Sequence, residues 1–147
     1  MVDRSGSRVR LEQEAGSSSQ SPIRKDERVA HVLIVEDNDL VSGALRVLFE
    51  QTGRRVSIAA TVADAISVAS ADRPDLMLID LTLPDGNGLS VLEELNRVNR
   101  PPRVAVALTG HDDPAIAERC AQLGCADVLL KPVPTRELLR RAEQWLA

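Results

Sequence analysis

Short apolar runs alternate with longer segments whose apolar residues recur every three or four positions, and this alternation constrains the fold more than any other feature of the chain. The runs are HVLIV (31–35), VSIAA (56–60), LMLID (76–80), VAVAL (104–108) and DVLL (127–130). An uninterrupted apolar run of this length is typical of a strand that is covered on both faces. A spacing of three or four residues is typical of an amphipathic helix. The sequence therefore predicts five strands, each followed by a helix.

Residues that start and stop helices support these boundaries. The apolar positions of the predicted helices are, in chain order, Val41, Ala44, Leu45 and Leu48; Val62, Ala65, Ile66 and Ala69; Leu89, Leu92 and Leu95; Ile116, Cys120 and Leu123; and Leu138, Leu139, Ala142 and Leu146. Gly53 and Gly124 follow the first and fourth helices, where glycine commonly ends a helix. Asp113 with Pro114 is predicted to begin the fourth helix, and Thr135 to cap the fifth.

Five strand–helix repeats predict one α/β domain. Parallel strands joined by right-handed crossovers form a sheet that helices cover on both faces. We expect a five-stranded parallel sheet, doubly wound as (βα)5, with the flavodoxin-like strand order 2-1-3-4-5. The segment DGNG (85–88) could instead form a hairpin, because Asp-Gly and Asn-Gly are strong turn signals. The next residues, LSVLEELNRV, repeat with a period near 3.6, so we favour a helix there.

The amino-terminal residues differ in composition from the rest of the chain. Residues 1–30 carry 6 Lys/Arg and 5 Asp/Glu around a Gly-Ser-Gln stretch, and they hold few apolar side chains. They are predicted to form a disordered tail, since they cannot bury enough surface to order themselves. Residues 31–147 form the predicted domain, with 17 acidic and 12 basic residues. This balance argues against a surface that binds nucleic acid.

Several absences favour a cytoplasmic location. The amino terminus lacks the apolar core of a signal peptide, and no apolar run approaches the ~18 residues of a spanning helix. Cys120 and Cys125 are the only cysteines, and no histidine or cysteine cluster accompanies them. We interpret both as structural thiols in a reducing compartment, and we expect no membrane contact.

Short segments with at least one polar or charged residue end the predicted strands. They are Glu36 and Asp37 after the first, Ala60 and Thr61 after the second, Asp80 at the end of the third, Thr109 and Gly110 after the fourth, and Lys131 and Pro132 after the fifth. Ligands of such sheets bind at the carboxyl ends of the strands, where the strand order reverses. Glu36, Asp37 and Asp80 should meet there, and their oxygen atoms suit Mg²⁺. Thr109 and Lys131, on the same edge, could hold the oxygens of a phosphoryl group.

Each of these residues also has a purely structural interpretation. Glu36 and Asp37 could cap the helix that follows them, although Asn38 and Asp39 already supply that cap. Lys131 is more informative, because the chain contains 16 Arg but only 2 Lys. An arginine-rich sequence thus retains a compact point charge at this one strand end.

Four segments resemble the motifs of the receiver domain of two-component response regulators. They are VLIVEDND, LMLIDLTLPDGNGL, VALTG and ADVLLKPV, in the order and spacing of that family. The resemblance implies that Asp80 is the phosphoacceptor and that Thr109 and Lys131 contact the phosphoryl group. It implies a magnesium site made by Glu36, Asp37, Asp80 and the backbone carbonyl of Thr82. It also implies a cis peptide bond between Lys131 and Pro132.

The resemblance further implies a signalling domain rather than an enzyme. Its phosphoryl donor would be a sensor histidine kinase or a phosphotransfer protein, and its downstream partner is a protein that the sequence does not identify. Receivers usually carry an aromatic residue where this chain has Val128, which has no ring to rotate in the usual switch. The last predicted helix reaches Ala147, so we expect a stand-alone receiver without an output domain. A segment of a longer regulator or of a hybrid kinase remains the alternative.

Two other protein classes share this architecture. A phosphatase of the haloacid dehalogenase type would use Asp80 as nucleophile, but it requires a second aspartate where this chain has Thr82. A flavodoxin-like carrier of FMN would need a phosphate-binding loop after the first strand, and here that loop is EDND. Both are less consistent with the sequence than a receiver.

Overall fold

The computed structural model describes residues 29–147 of the chain. The predicted tail, residues 1–30, therefore lies outside the described residues except for its last two positions. The strands are β1 (His31–Val35), β2 (Arg55–Ala59), β3 (Leu76–Asp80), β4 (Thr82–Leu83), β5 (Gly86–Asn87), β6 (Val104–Thr109) and β7 (Asp127–Leu130). The helices are α1 (Asp39–Gln51), α2 (Val62–Ala71), α3 (Leu89–Arg97), α4 (Pro114–Gln122) and α5 (Thr135–Trp145).

Five parallel strands form the main sheet, in the order β2-β1-β3-β6-β7. Counted along the chain without the short β4 and β5, this is the predicted order 2-1-3-4-5. The second strand starts and ends one residue earlier than predicted, and the fourth extends to Thr109. Val35 is paired with Ile79, and Asp80 with Leu108. The register therefore brings the ends of β1, β3 and β6 to one edge of the sheet.

Helices cover both faces of this sheet. Alternate side chains of a strand point to opposite faces, and two separate apolar clusters result. Leu33, Val35, Met77 and Ile79 pack with residues of α2, α3 and α4 on one face. Val32, Ile34, Leu76 and Leu78 pack with residues of α1 and α5 on the other. Central strands that are buried on both faces explain the uninterrupted apolar runs of the sequence.

The helix ends match most of the predicted signals. Asp113 caps α4, where its side chain accepts the N–H of Ala115, and Pro114 follows it as predicted. Gly53 and Gly124 adopt positive φ angles of 85° and 91°, the backbone conformation in which glycine ends a helix.

The predicted cap at Thr135 is wrong. Pro134 occupies the cap position, and its carbonyl accepts the N–H of Leu138. Thr135 is the first helical residue, so its hydroxyl is one position too late to reach the free N–H groups of the first turn.

The prediction of a helix instead of a hairpin at DGNG is partly wrong. Both are present: β4 and β5 pair antiparallel around Pro84 and Asp85, and α3 begins at Leu89. Each hairpin strand has two residues, which is too short to produce a period-two pattern. The helical period of the next ten residues is real, but it starts after the hairpin.

Both cysteines are free thiols that pack in or against the apolar core. Cys120 is buried in α4, and Cys125 is half-buried just after it. Burial raises the pKa of both thiols, that of Cys125 to about 12.

Across residues 29–147, no helix is long and apolar enough to cross a membrane.

Candidate functional site

Three carboxylates meet at the edge of the sheet where the strands have their carboxyl ends, as predicted from the sequence. One oxygen each from Glu36, Asp37 and Asp80 lies within 4.8 Å of the others. Glu36 and Asp80 are only 3% and 5% exposed, whereas Asp37 is exposed to solvent. Two of these charges are therefore held in an environment where they need a positive partner.

Lys131 supplies positive charge to both buried carboxylates. Its Nζ lies 3.3 Å from Asp80 Oδ2 and 3.4 Å from Glu36 Oε1. Partial burial lowers the pKa of Lys131, but the two carboxylates outweigh this effect and leave the pKa above its ordinary value. One ammonium group beside two of the three carboxylates does not balance the negative charge of the cluster.

The surroundings of Glu36 act on its carboxylate in opposite directions. Its Oε2 accepts the N–H of Asn38 at 3.2 Å, which favours the ionised form. Burial acts in the opposite direction, as does the neighbouring charge of Asp80, and together they raise the pKa of Glu36. The folded protein therefore carries a carboxylate whose charge is incompletely compensated by its protein partners.

The two oxygens of Asp80 have different partners. Oδ1 accepts the backbone N–H of Thr82 at 3.1 Å, while Oδ2 faces Lys131. The backbone of the next residue is also held, since Leu81 donates its N–H to Leu108. The carboxylate is thus fixed at the rim of the sheet by the loop that follows it.

Thr109 lies at the end of the neighbouring strand and is 5% exposed. Its Oγ1 accepts the N–H of His111 at 3.1 Å, so the hydroxyl is bonded to the loop that precedes α4. Its carbonyl accepts the N–H of Lys131 at 2.8 Å, which links the two strand ends. Val128 is half-buried in β7 and packs against the core. The predicted cis peptide bond between Lys131 and Pro132 is confirmed.

The donor atoms of the cluster suit a hard divalent cation. Carboxylate oxygens, without thiol or imidazole, are the ligands that Mg²⁺ uses in proteins. The exposed position of Asp37 leaves one side of the cluster open to water, which Mg²⁺ retains when it binds. The residues present therefore fit Mg²⁺.

Sequence comparison identifies the family. The model of the response regulator receiver domain matches residues 32–143, which include all of these strand ends. The chain belongs to the response regulator receiver family. Receiver domains are signalling domains that interact with histidine kinases or phosphotransfer proteins, and this membership disfavours the phosphatase and FMN-carrier alternatives.

Named relatives and solved structures support the same family. The chain is 36% identical over 110 residues to the Regulator of RpoS from Escherichia coli, a match that covers 74% of this chain and 32% of that protein. A CheY-like receiver domain from Methanospirillum hungatei superposes with a TM-score of 0.76 at 27% identity, covering 81% of this chain and 94% of that one.

A third relative concerns the metal. The receiver domain of a sensor histidine kinase from Pseudomonas aeruginosa has a TM-score of 0.71 at 30% identity, covering 81% of this chain and 98% of that one. That crystal structure has a magnesium ion coordinated in the active site cleft. The curated relatives are longer: the receiver described here spans 32% of the Regulator of RpoS and 58% of the photosynthetic regulator RegA from Rhodovulum sulfidophilum.

Two residues of the loop that follows Asp80 make contacts that sequence reasoning missed. Asp85, at the tip of the hairpin, accepts N–H groups from α2. Gly88 packs directly on the backbone of Asp80. The turn signal at DGNG indicated only local geometry, and neither contact has a sequence period from which it could be found.

Proposed function

We propose that this receiver domain accepts a phosphoryl group on Asp80 in a reaction that requires Mg²⁺. The observation that carries the proposal is the convergence of three carboxylates within 4.8 Å beside the Lys131 ammonium. We also propose that the domain spans residues 31–147, slightly more than the 32–143 that the family match covers. The donor would be a sensor histidine kinase or a phosphotransfer protein.

The proposed reaction is a nucleophilic displacement at phosphorus. A carboxylate oxygen of Asp80 forms the new O–P bond, and the bond from phosphorus to the donor breaks, with its electron pair leaving on the donor. Glu36, Asp37, Asp80 and the carbonyl of Thr82 would hold Mg²⁺. When bound, the ion neutralises charge on the phosphoryl oxygens.

Lys131 and Thr109 have supporting parts in this proposal. The Lys131 ammonium, which now faces both buried carboxylates, would pair with a phosphoryl oxygen and offset its added charge. The Thr109 hydroxyl, which now donates to the His111 carbonyl at 3.4 Å, would instead donate to a phosphoryl oxygen. That exchange would release the loop before α4 and carry the signal to a downstream protein.

Whether the receiver acts alone or within a longer protein is a second part of the proposal. The proposed chemistry needs only residues of the receiver itself, so a stand-alone protein could act by binding a partner. Relatives such as the KDP operon transcriptional regulatory protein KdpE of Escherichia coli are longer, and the match covers 49% of that protein. Attachment to an output domain is therefore the alternative.

Intact-mass measurement tests the function directly. Incubation of the protein with acetyl phosphate and Mg²⁺ should add the mass of one phosphoryl group, and excess chelator should prevent the addition. A folded protein that gains no mass at any Mg²⁺ concentration would contradict the proposal. Continuous release of inorganic phosphate from a phosphomonoester would indicate the phosphatase alternative instead.

Replacing Asp37 separates metal binding from folding. We expect Asp37→Asn to weaken Mg²⁺ binding roughly tenfold or more, because a charged oxygen ligand is lost. In metal-free buffer the free energy of unfolding should stay the same or rise, since repulsion among the carboxylates decreases. Calorimetric Mg²⁺ titration and urea unfolding measure the two effects.

Asp39→Asn is the matched control for that variant. Asp39 is an exposed acid in the first turn of α1, two residues away and outside the cluster. Its replacement should leave Mg²⁺ affinity near the wild-type value. Strong destabilisation of Asp37→Asn without metal would contradict the prediction, because removal of a repulsive charge should not destabilise the fold.

A further inference from the structure

The hairpin after Asp80 is held at both of its ends. At its base, Gly88 donates its N–H to Leu81 at 3.1 Å, and Asn87 Oδ1 accepts the N–H of Leu89 at 2.8 Å. In its middle, Leu83 is buried in the core. At its tip, the Asp85 side chain extends away from the hairpin and contacts the start of α2.

Asp85 caps α2 from outside that helix. Its Oδ1 accepts the N–H of Val62 at 2.8 Å, and its Oδ2 accepts the N–H of Ala63 at 3.2 Å. The next N–H, that of Asp64, is accepted by the helix's own cap, Thr61 Oγ1, at 3.1 Å. The two side chains together satisfy the first three N–H groups of α2, which have no partner within the helix.

The electrostatics of this contact favour an ionised aspartate. The backbone N–H of Val62, with a smaller contribution from Ala63, holds the pKa of Asp85 below its ordinary value. A carboxylate at the amino end of a helix also interacts favourably with the positive end of the helix dipole. The contact is therefore directional, and it forms only when the hairpin tip lies over the start of α2.

We propose that Asp85 is a positioning residue, which fixes the hairpin to α2 and so sets where Thr82 stands relative to Asp80. This inference rests on the proposed function, because Thr82 matters through its carbonyl, a proposed ligand of Mg²⁺. Thr82 begins the hairpin, is paired with Asn87 across it, and donates its N–H to Asp80 Oδ1. Movement of the hairpin tip would be transmitted across this pair of two-residue strands to the metal site.

The predicted consequence is a change in metal dependence rather than in chemistry. In Asp85→Ala, the Mg²⁺ concentration that gives half the maximal rate of phosphorylation by acetyl phosphate should rise roughly three- to tenfold. This range corresponds to the loss of the two solvent-exposed hydrogen bonds that the Asp85 carboxylate accepts from α2. The rate at saturating Mg²⁺ should approach that of the wild type. Asp85→Asn keeps one acceptor oxygen for Val62 and should lie between the two.

Thr61→Ala is the matched control, because it removes a cap from the same end of α2 without touching the hairpin. It should lower the melting temperature while leaving the Mg²⁺ dependence at the wild-type value. Equal Mg²⁺ dependence in Asp85→Ala and Thr61→Ala would overturn the inference, since α2 stability alone would then explain the effect.

Amide hydrogen exchange gives a readout that does not require phosphorylation. We expect faster exchange at Thr82 and Gly88 in Asp85→Ala than in Thr61→Ala or the wild type. Unchanged exchange at both amides would overturn the positioning role. A wild-type protein that is not phosphorylated would contradict the proposed function, and the exchange result would still decide whether Asp85 positions the hairpin.

Discussion

Asp80→Asn should abolish phosphorylation by a small phosphodonor, with a loss of rate of roughly a thousandfold or more, as removal of a nucleophile produces. The amide is nearly the same size as the carboxylate, but it is neither an anionic metal ligand nor a nucleophile. The measurement is the intact mass of wild type and variant after equal incubation with acetyl phosphate and Mg²⁺.

The fold of Asp80→Asn should remain intact. The loss of phosphorylation can then be attributed to the missing carboxylate rather than to unfolding. The variant loses the attraction between Asp80 Oδ2 and Lys131 at 3.3 Å, but it also removes a negative charge that adds to the effect of burial in raising the pKa of Glu36. These effects oppose each other, so the free energy of unfolding should change by no more than about 1 kcal/mol. Urea unfolding monitored by circular dichroism checks this.

Asp113→Asn is the control for that experiment. Asp113 is an exposed acid in the loop between Thr109 and α4, and asparagine caps a helix as well as aspartate does. This variant should be phosphorylated like the wild type. If Asp80→Asn gains the same mass as Asp113→Asn, the phosphoacceptor is another residue and the assignment is wrong.

The acidic cluster could be predicted from sequence because it depends on topology alone. Once the strand order is known, the residues at the ends of β1 and β3 must lie next to each other. Glu36, Asp37 and Asp80 come directly after or at the end of apolar runs that are visible in the sequence. No side-chain geometry is needed to bring them to one edge.

Contacts between loops could not be predicted in the same way. Asp85 and Val62 are 23 positions apart, and they meet only because the hairpin folds over the start of α2. The error at Thr135 has a similar origin, since a proline and a threonine next to each other both suit a helix start. In the structure Pro134 takes the cap position and Thr135 is the first helical residue.

Gly88 is constrained by a tertiary contact that the sequence does not reveal, its close packing on Ile79 and Asp80. Its φ of −55° and ψ of −28° are available to any residue, so the backbone itself does not require glycine. A Cβ at this position would lie 2.6 Å from Ile79 Cγ2 and closer still to the carbonyl oxygen of Asp80. The restriction is therefore steric, and part of it is imposed by backbone that cannot rotate away.

Gly88→Ala should destabilise the protein by about 2–3 kcal/mol, because relief of the overlap requires the backbone to shift. Gly43→Ala is the matched control, since among the described residues nothing lies within 4 Å of a Cβ added at Gly43. Gly43 is inside α1, where alanine is favoured over glycine, so that variant should be more stable by up to about 1 kcal/mol. Urea unfolding of the three proteins measures both effects.

The same overlap connects Gly88 to the chemistry. The backbone shift that admits the methyl group must move Asp80 or the start of α3, and a shift of Asp80 would disturb the contacts of its carboxylate with Thr82 and Lys131. Folded Gly88→Ala, assayed below its unfolding transition, should therefore be phosphorylated more slowly than Gly43→Ala. If the two alanine variants match in both stability and rate, the site tolerates the methyl group and the close packing of Gly88 on Asp80 does not constrain the phosphoacceptor.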